Sequence, residues 1–167
     1  MNIIFKILSK LVLSFFLMAL IAATIGYTGI YIMQEVQKQM KITTNAVALM
    51  QSVTDAQKHA YRFKGGMDQS DFTIVLSDID SAILFADNNR QMYDWEEHIV
   101  RAEELISAGD EFKELFNEFR TDVQSNGISM NSEELWQRSE SLIDVMLEKS
   151  EGMTGGVINV INYAVST

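Results

Sequence analysis

LVLSFFLMALIAATIGYTGIYIM, from Leu11 to Met33, contains no Asp, Glu, Lys or Arg. At about 1.5 Å per residue this stretch measures roughly 35 Å as an α-helix, enough to cross a hydrocarbon core of about 30 Å. A cleaved signal peptide would have a shorter apolar run ending in a small-x-small site. Here the residues two before Ala22 and Ala23 are Leu20 and Ile21, and the run continues through Ile25, Ile30 and Ile32. The stretch therefore reads as an uncleaved anchor. Lys6 and Lys10 flank it on one side, and Glu35, Lys38 and Lys41 on the other, which gives a slight preference for a cytoplasmic N-terminus. Tyr27 and Tyr31 stand where an interfacial aromatic belt would place them.

Beyond Met33 the chain is also helical in pattern. The 167 residues contain no proline, where ordinary usage would put roughly eight. A chain without proline is free to form long uninterrupted helices. Val36, Met40, Ala46, Leu49, Met50, Val53, Ala56, Ala60 and Phe63 recur at intervals of three and four, one apolar face of a helix continuous with the anchor. Gly65-Gly66 is a stop signal, and Asp68, Ser70 and Asp71 are candidate caps for a second helix carrying Phe72, Val75, Leu76, Ile79, Ala82, Ile83 and Ala86. Two endings for that helix stay open. It turns at Asp87-Asn88-Asn89, with Asp94 capping the next helix and Glu97 completing a capping box, or it runs on to about Ile106 and turns at Ser107-Ala108-Gly109-Asp110.

Phe112, Leu115, Phe116, Phe119 and Val123 form the third helix on either route. Gln124-Ser125-Asn126-Gly127 reads as a loop, and Asn131 with Glu134 as the start of a fourth helix bearing Leu135, Leu142, Val145, Met146 and Met153. Val157, Ile158, Val160, Ile161 and Val165 continue that pattern without any charge from Gly152 onward. No alternating run bounded by turn residues suggests a strand. The expected fold is all-α: an N-terminal transmembrane helix continuing into an antiparallel four-helix bundle.

Charge narrows the function. The net charge of −10 argues against nucleic acid as a partner, because phosphates need a basic surface. From Gln34 to Lys64 the basic residues are Lys38, Lys41, Lys58, Arg62 and Lys64, against Glu35 and Asp55 alone; the other 21 of the 23 acidic residues follow Gly65. Without cysteine there are no disulfides, thiolate metal sites or cysteine nucleophiles. No phosphate-binding glycine loop, nucleophile elbow or His-Glu-x-x-His motif occurs, so neither an enzyme nor a cofactor is expected.

Two local clusters carry candidate chemistry. Lys58 and Arg62, four apart, share a helix face, with His59 adjacent and Lys64 at the same end; arginine there can hold a carboxylate through two parallel hydrogen bonds. The competing reading has Arg62 and Lys58 merely paired with the acidic second and third helices. Asp94, Glu97 and His98 lack the paired Glu-x-x-His pattern of a bundle metal site, so His98 reads as a solvated helix residue and no metal is expected. The methionines and the Phe112, Phe116 and Phe119 stripe read as core packing.

The entry Ile7-Leu8-Ser9-Lys10-Leu11-Val12-Leu13-Ser14-Phe15 and the exit Ile25-Gly26-Tyr27-Thr28-Gly29-Ile30 resemble the first membrane helix of bacterial methyl-accepting chemotaxis proteins. Asp55 to Phe63 with Gly65-Gly66 is similar to the end of the first helix and the distal turn of their helical-bundle sensor domains. The resemblance spans the chain in architecture and approaches a motif only in the membrane segment. It implies a short cytoplasmic tail (1–10), a transmembrane helix (11–33) and an extracytoplasmic sensor domain (34–167). Such a domain would lie in the periplasm or outside the cell, tethered to the inner membrane by a single pass. The resemblance also implies a homodimer that binds a small solute, such as an organic acid or amino acid, near the membrane-distal end of the first helix. Lys58, His59, Arg62 and Lys64 are the residues placed there. Binding would be relayed by helix displacement in chemotaxis signal transduction. A complete receptor of that kind adds a second membrane helix, a relay domain and a methylated coiled coil, so the chain is expected to be an input half. The alternatives are a membrane-anchored helical scaffold that binds a protein or dimerises without a small ligand, and the input domain of a sensor kinase.

Overall fold

The computed structural model describes the backbone of residues 2–166 and the side chains of residues 10–153. Four helices follow in order: α1 (Asn2–Gly66), α2 (Gln69–Arg90), α3 (Glu96–Asn126) and α4 (Met130–Ser166). Among the described residues there is no strand. The chain divides into two compact units, Met1–Met40 and Lys41–Thr167.

In the first unit, α1 is long and apolar enough to cross a membrane, judged by length and composition. Its apolar side chains are exposed all round, with Phe15 and Phe16 each 68% accessible. A helix that is hydrophobic on every side calls for an apolar surrounding. The hydroxyls in this run are satisfied locally, Thr24 donating to the Leu20 carbonyl and Thr28 to that of Thr24, both at 2.8 Å. That removes the cost of carrying an unpaired hydroxyl into an apolar medium.

The second unit is an antiparallel four-helix bundle whose register can be read from side-chain contacts. Gln57 meets Asp144 and Tyr61 meets Glu140 across α1 and α4, while His59 meets Asp71 across α1 and α2. Lys113 meets Asp80 across α3 and α2, and Lys149 meets Glu104 across α4 and α3. Leu49, Val53, Val75, Ile79, Leu105, Phe112, Phe116 and Met146 are fully buried. Val36 and Met40, expected on the apolar face, are exposed; the buried stripe of α1 begins at Ile42. The core stripe of α2 is as expected, with Leu76 and Ile83 at its margin.

The turns depart from the sequence expectations in instructive ways. Gly65 and Gly66 stay inside α1, and the left-handed residue that ends it is Met67, at φ 53°. Its amide donates to the Phe63 carbonyl, and its side chain packs on the core, which offsets the steric cost of a Cβ in that conformation. Asp68 caps α2, accepting from the Ser70 amide at 2.8 Å. The second helix ends at Arg90, which decides between the two open endings.

The Asn89 carbonyl accepts from both Met92 and Tyr93 to form the next turn. Asp94 does not cap α3: Trp95 stands at that position without a side-chain bond, and Glu97 reaches forward to Arg101 at 2.5 Å. Asn131 does not cap α4 either. Ser129 precedes the helix, and Ser129 and Ser132 exchange amide-to-hydroxyl bonds of 2.7 and 3.0 Å, a capping box built from two serines. The apolar series from Val157 to Val165 lies outside the residues with described side chains.

Candidate functional site

The last two turns of α1 carry the four candidate residues, all at the far end of the bundle beside the α1–α2 and α3–α4 turns. The structure divides them into two pairs. His59 and Lys64 are half-buried and engaged: His59 Nδ1 lies 2.9 Å from Asp71 Oδ1 on α2, and Lys64 Nζ lies 2.9 Å from Glu133 Oε1 on α4. Lys64 also sits over the Trp136 ring, 4.7 Å from its centroid. Lys58 and Arg62 are exposed, and no hydrogen bond or ion pair to them is present among the described residues. Lys58 and Arg62, the two expected to pair with the acidic second and third helices, instead face outward; the pairs that form are His59 with α2 and Lys64 with α4.

Aromatic packing fixes this end. Phe63 lies 5.4 Å from Phe72 and 5.4 Å from Phe116, ring centroid to centroid, and Phe119 stands 5.6 Å from Trp136. Pairs of this geometry add about 0.5–1.5 kcal/mol beyond the area they bury. They pack this end of α1 against the other three helices. Beside His59, the Asp78 carboxyl is pushed up by burial, offset by the His59 ring and reinforced by Asp55, and its Oδ2 has no hydrogen-bond partner among the described residues. Tyr61 is raised by its bond to Glu140.

Sequence reasoning missed three participants. Trp136 and Glu133 on α4 cradle Lys64, and Arg120 on α3 lies with its guanidinium carbon 4.2 Å from the Phe72 ring centroid. Their signal was weak because pairing across helices leaves no local spacing. An open polar groove lined by Asn117, Thr121, Asp122, Asn126 and Asn131 runs beside the α3–α4 turn. Asp122 within it is held low by hydrogen bonds from Ser129, Asn126 and Asn131, which commits it to the turn.

His98 is not a solvated residue. It is half-buried at the opposite end of the bundle, stacked on Tyr93 at 5.0 Å and on Trp95 at 5.6 Å. Burial, and after it Arg101, lowers its pKa, and Nδ1 has no partner among the described residues. Tyr93 beside it is pushed up to about 12 by burial, with a small offset from the Asn89 amide. Among the described residues no three His, Cys, Asp or Glu side chains gather as a metal would require.

The class of protein defined by these features is an all-α four-helix bundle with one long apolar N-terminal helix. No family model, curated protein or solved structure matches the chain.

Proposed function

We propose that the chain is the input part of a membrane receptor of the chemoreceptor type, without catalytic activity. Its apolar segment would span the inner membrane once, and its bundle would bind a small solute on the outer side. The observation that carries this reading is the outward pair Lys58 and Arg62. In a chain of net charge −10, two neighbouring cations stand without a carboxylate partner among the described residues, beside the aromatic cluster of the bundle. An arginine beside a lysine suits a carboxylate, which the planar guanidinium can take bidentately. A ligand that favoured one of two helix packings would shift the bundle toward it, and a helix displacement would carry that shift onward. Titration calorimetry of the full chain in lipid nanodiscs, against a panel of organic acids and amino acids, tests this. Binding that is lost in the Lys58→Ala/Arg62→Ala double variant supports it. A folded protein that binds none of the panel overturns it.

A second reading rests on a different observation. Val47, Thr54 and Tyr61, spaced by seven, are exposed along the same outward side of α1. A repeat of seven presents one seam to a partner helix, as in a scaffold that dimerises without a small ligand. Crosslinking across a cysteine placed at Thr54 would report such a dimer, and its survival with no solute bound would favour the scaffold.

A further inference from the structure

We infer that Arg120 is the core of a second anion site, on the α2–α3 seam and apart from the α1 cations. The seam has a regular register in which each cation meets a carboxylate on the opposing helix. Arg90 reaches Glu103 at 3.5 Å, and Lys113 reaches Asp80 at 2.9 Å. One step further along stands Arg120, and there the opposing residue is Phe72, with the guanidinium over its ring. Within the bundle, half-buried Lys64, Arg90, Arg101, Lys113 and Lys149 each have a carboxylate partner; among the described residues Arg120 has none.

Three acidic residues near this rung in sequence are committed elsewhere, and the fourth, Glu118, is exposed. Asp68 caps α2, Asp71 holds His59, and Asp122 is bonded to Ser129 and Asn126. In a protein with 23 acidic and 13 basic residues, an unmatched half-buried arginine is the exception. The aromatic face fixes the plane of the guanidinium while leaving its hydrogen-bonding edge without an acceptor. Nε is shielded and lacks a partner, so the end open to an anion is the pair of Nη nitrogens, a match for a planar carboxylate taken end-on. The ligand class is therefore a small monocarboxylate or the terminal carboxylate of a larger acid.

Arginine side-chain NMR of the full chain, labelled with ¹⁵N-arginine in nanodiscs, tests the assignment directly. The chain has five arginines, Arg62, Arg90, Arg101, Arg120 and Arg138, and the shielded Nε–H of Arg120 exchanges slowly enough with water to be seen. Sodium acetate is titrated in at constant ionic strength, with sodium chloride as the balancing salt. The expected result is a saturable shift of the one resonance that disappears in Arg120→Lys. Read instead from the ring protons of Phe72, which the variant keeps, acetate binding weakens by roughly tenfold in Arg120→Lys, because a lysine keeps the charge and loses the fork. Arg138→Lys, at an exposed position, leaves the titration unchanged. A linear, non-saturating response, or a saturable one that persists unweakened in Arg120→Lys, overturns the proposal. The Lys58→Ala/Arg62→Ala variant should retain this response, so the α1 site and the Arg120 site succeed or fail separately.

Discussion

The two ends of the bundle are built differently. At the far end five phenylalanines, Phe63, Phe72, Phe112, Phe116 and Phe119, pack with Trp136 into one aromatic cluster. At the near end the corresponding core positions are Ala82, Ala86 and Ala102, with the amide of Asn89 buried among them and donating to the Ile42 carbonyl at 3.3 Å. Charge has the opposite arrangement. At the near end Arg90 is held by Asp87 and Glu103 and Arg101 by Glu97, while Lys41 is exposed without an ion pair among the described residues. The far end leaves Lys58, Arg62 and Arg120 unmatched among the described residues. Where apolar packing supplies the cohesion, cations are not needed as internal ties and remain available to a ligand. That difference is what favours the far end for the proposed recognition.

The contrast between the ends is broken most readily where the packing is densest. Phe116 touches Phe63, Phe72, Phe112 and Phe119. Phe116→Ala should cost about 3–5 kcal/mol in a denaturant titration followed by circular dichroism. Ala102→Gly, at the near end, should cost only about 1 kcal/mol, the backbone penalty of glycine in a helix. Equal losses would mean that the aromatic cluster is not what holds the bundle. Next in size is the cap between α1 and α2. Asp68→Ala removes the acceptor of the Ser70 amide, and the melting midpoint should fall in proportion to about 1 kcal/mol.

The same contrast governs how much was legible in the sequence. The aromatic end was readable because Phe112, Phe116 and Phe119 recur at helical spacing, and the core of α2 was readable for the same reason. The stripe of α4 was only half readable. Its buried line runs through Ser132, Trp136, Ser139, Ile143, Met146, Ser150 and Met153, so serines interrupt the apolar pattern. They are tolerated because Ser139 donates to the Leu135 carbonyl and Ser150 to that of Leu147, at 2.9 and 2.8 Å. Met67 was illegible since its left-handed backbone depends on tertiary packing that offsets the strain. At the candidate site, the charges of Lys58, His59, Arg62 and Lys64 were visible, but their division into engaged and free pairs was not. That division depends on Asp71 and Glu133, which only the register of the folded bundle brings into reach.

The two ends should also respond differently to pH. Burial depresses the pKa of His98 at the near end below its ordinary 6.5, so the unfolded chain binds the extra proton first. Stability from this group is complete above 6.5 and is lost as pH falls through the folded value. Thermal melts of His98→Phe should lose that acid sensitivity. Asp78, nearer the far end, has the opposite sign: its folded pKa lies above the ordinary 3.8, so the native state holds its proton longer. Its burial therefore destabilises the protein above the folded value, and the penalty fades as pH drops toward 3.8. Asp78→Asn should melt higher than the parent at neutral pH and lose that advantage in acid. A variant without any gain at neutral pH would show that water reaches Oδ2.

The smallest expected effect is the most direct probe of the charge contrast. Arg90 is 39% exposed and shared between Asp87 and Glu103, so solvent screens much of its attraction to either. Exposed pairs of this kind contribute about 0–1 kcal/mol. Arg90→Ala should therefore shift the melting midpoint slightly, and salt should reduce the difference between parent and variant further. A loss as large as that of Phe116→Ala would make the near end an electrostatic structure in its own right. The contrast would then be between two modes of cohesion, and matched charge at the near end could no longer be taken as a sign that recognition lies elsewhere.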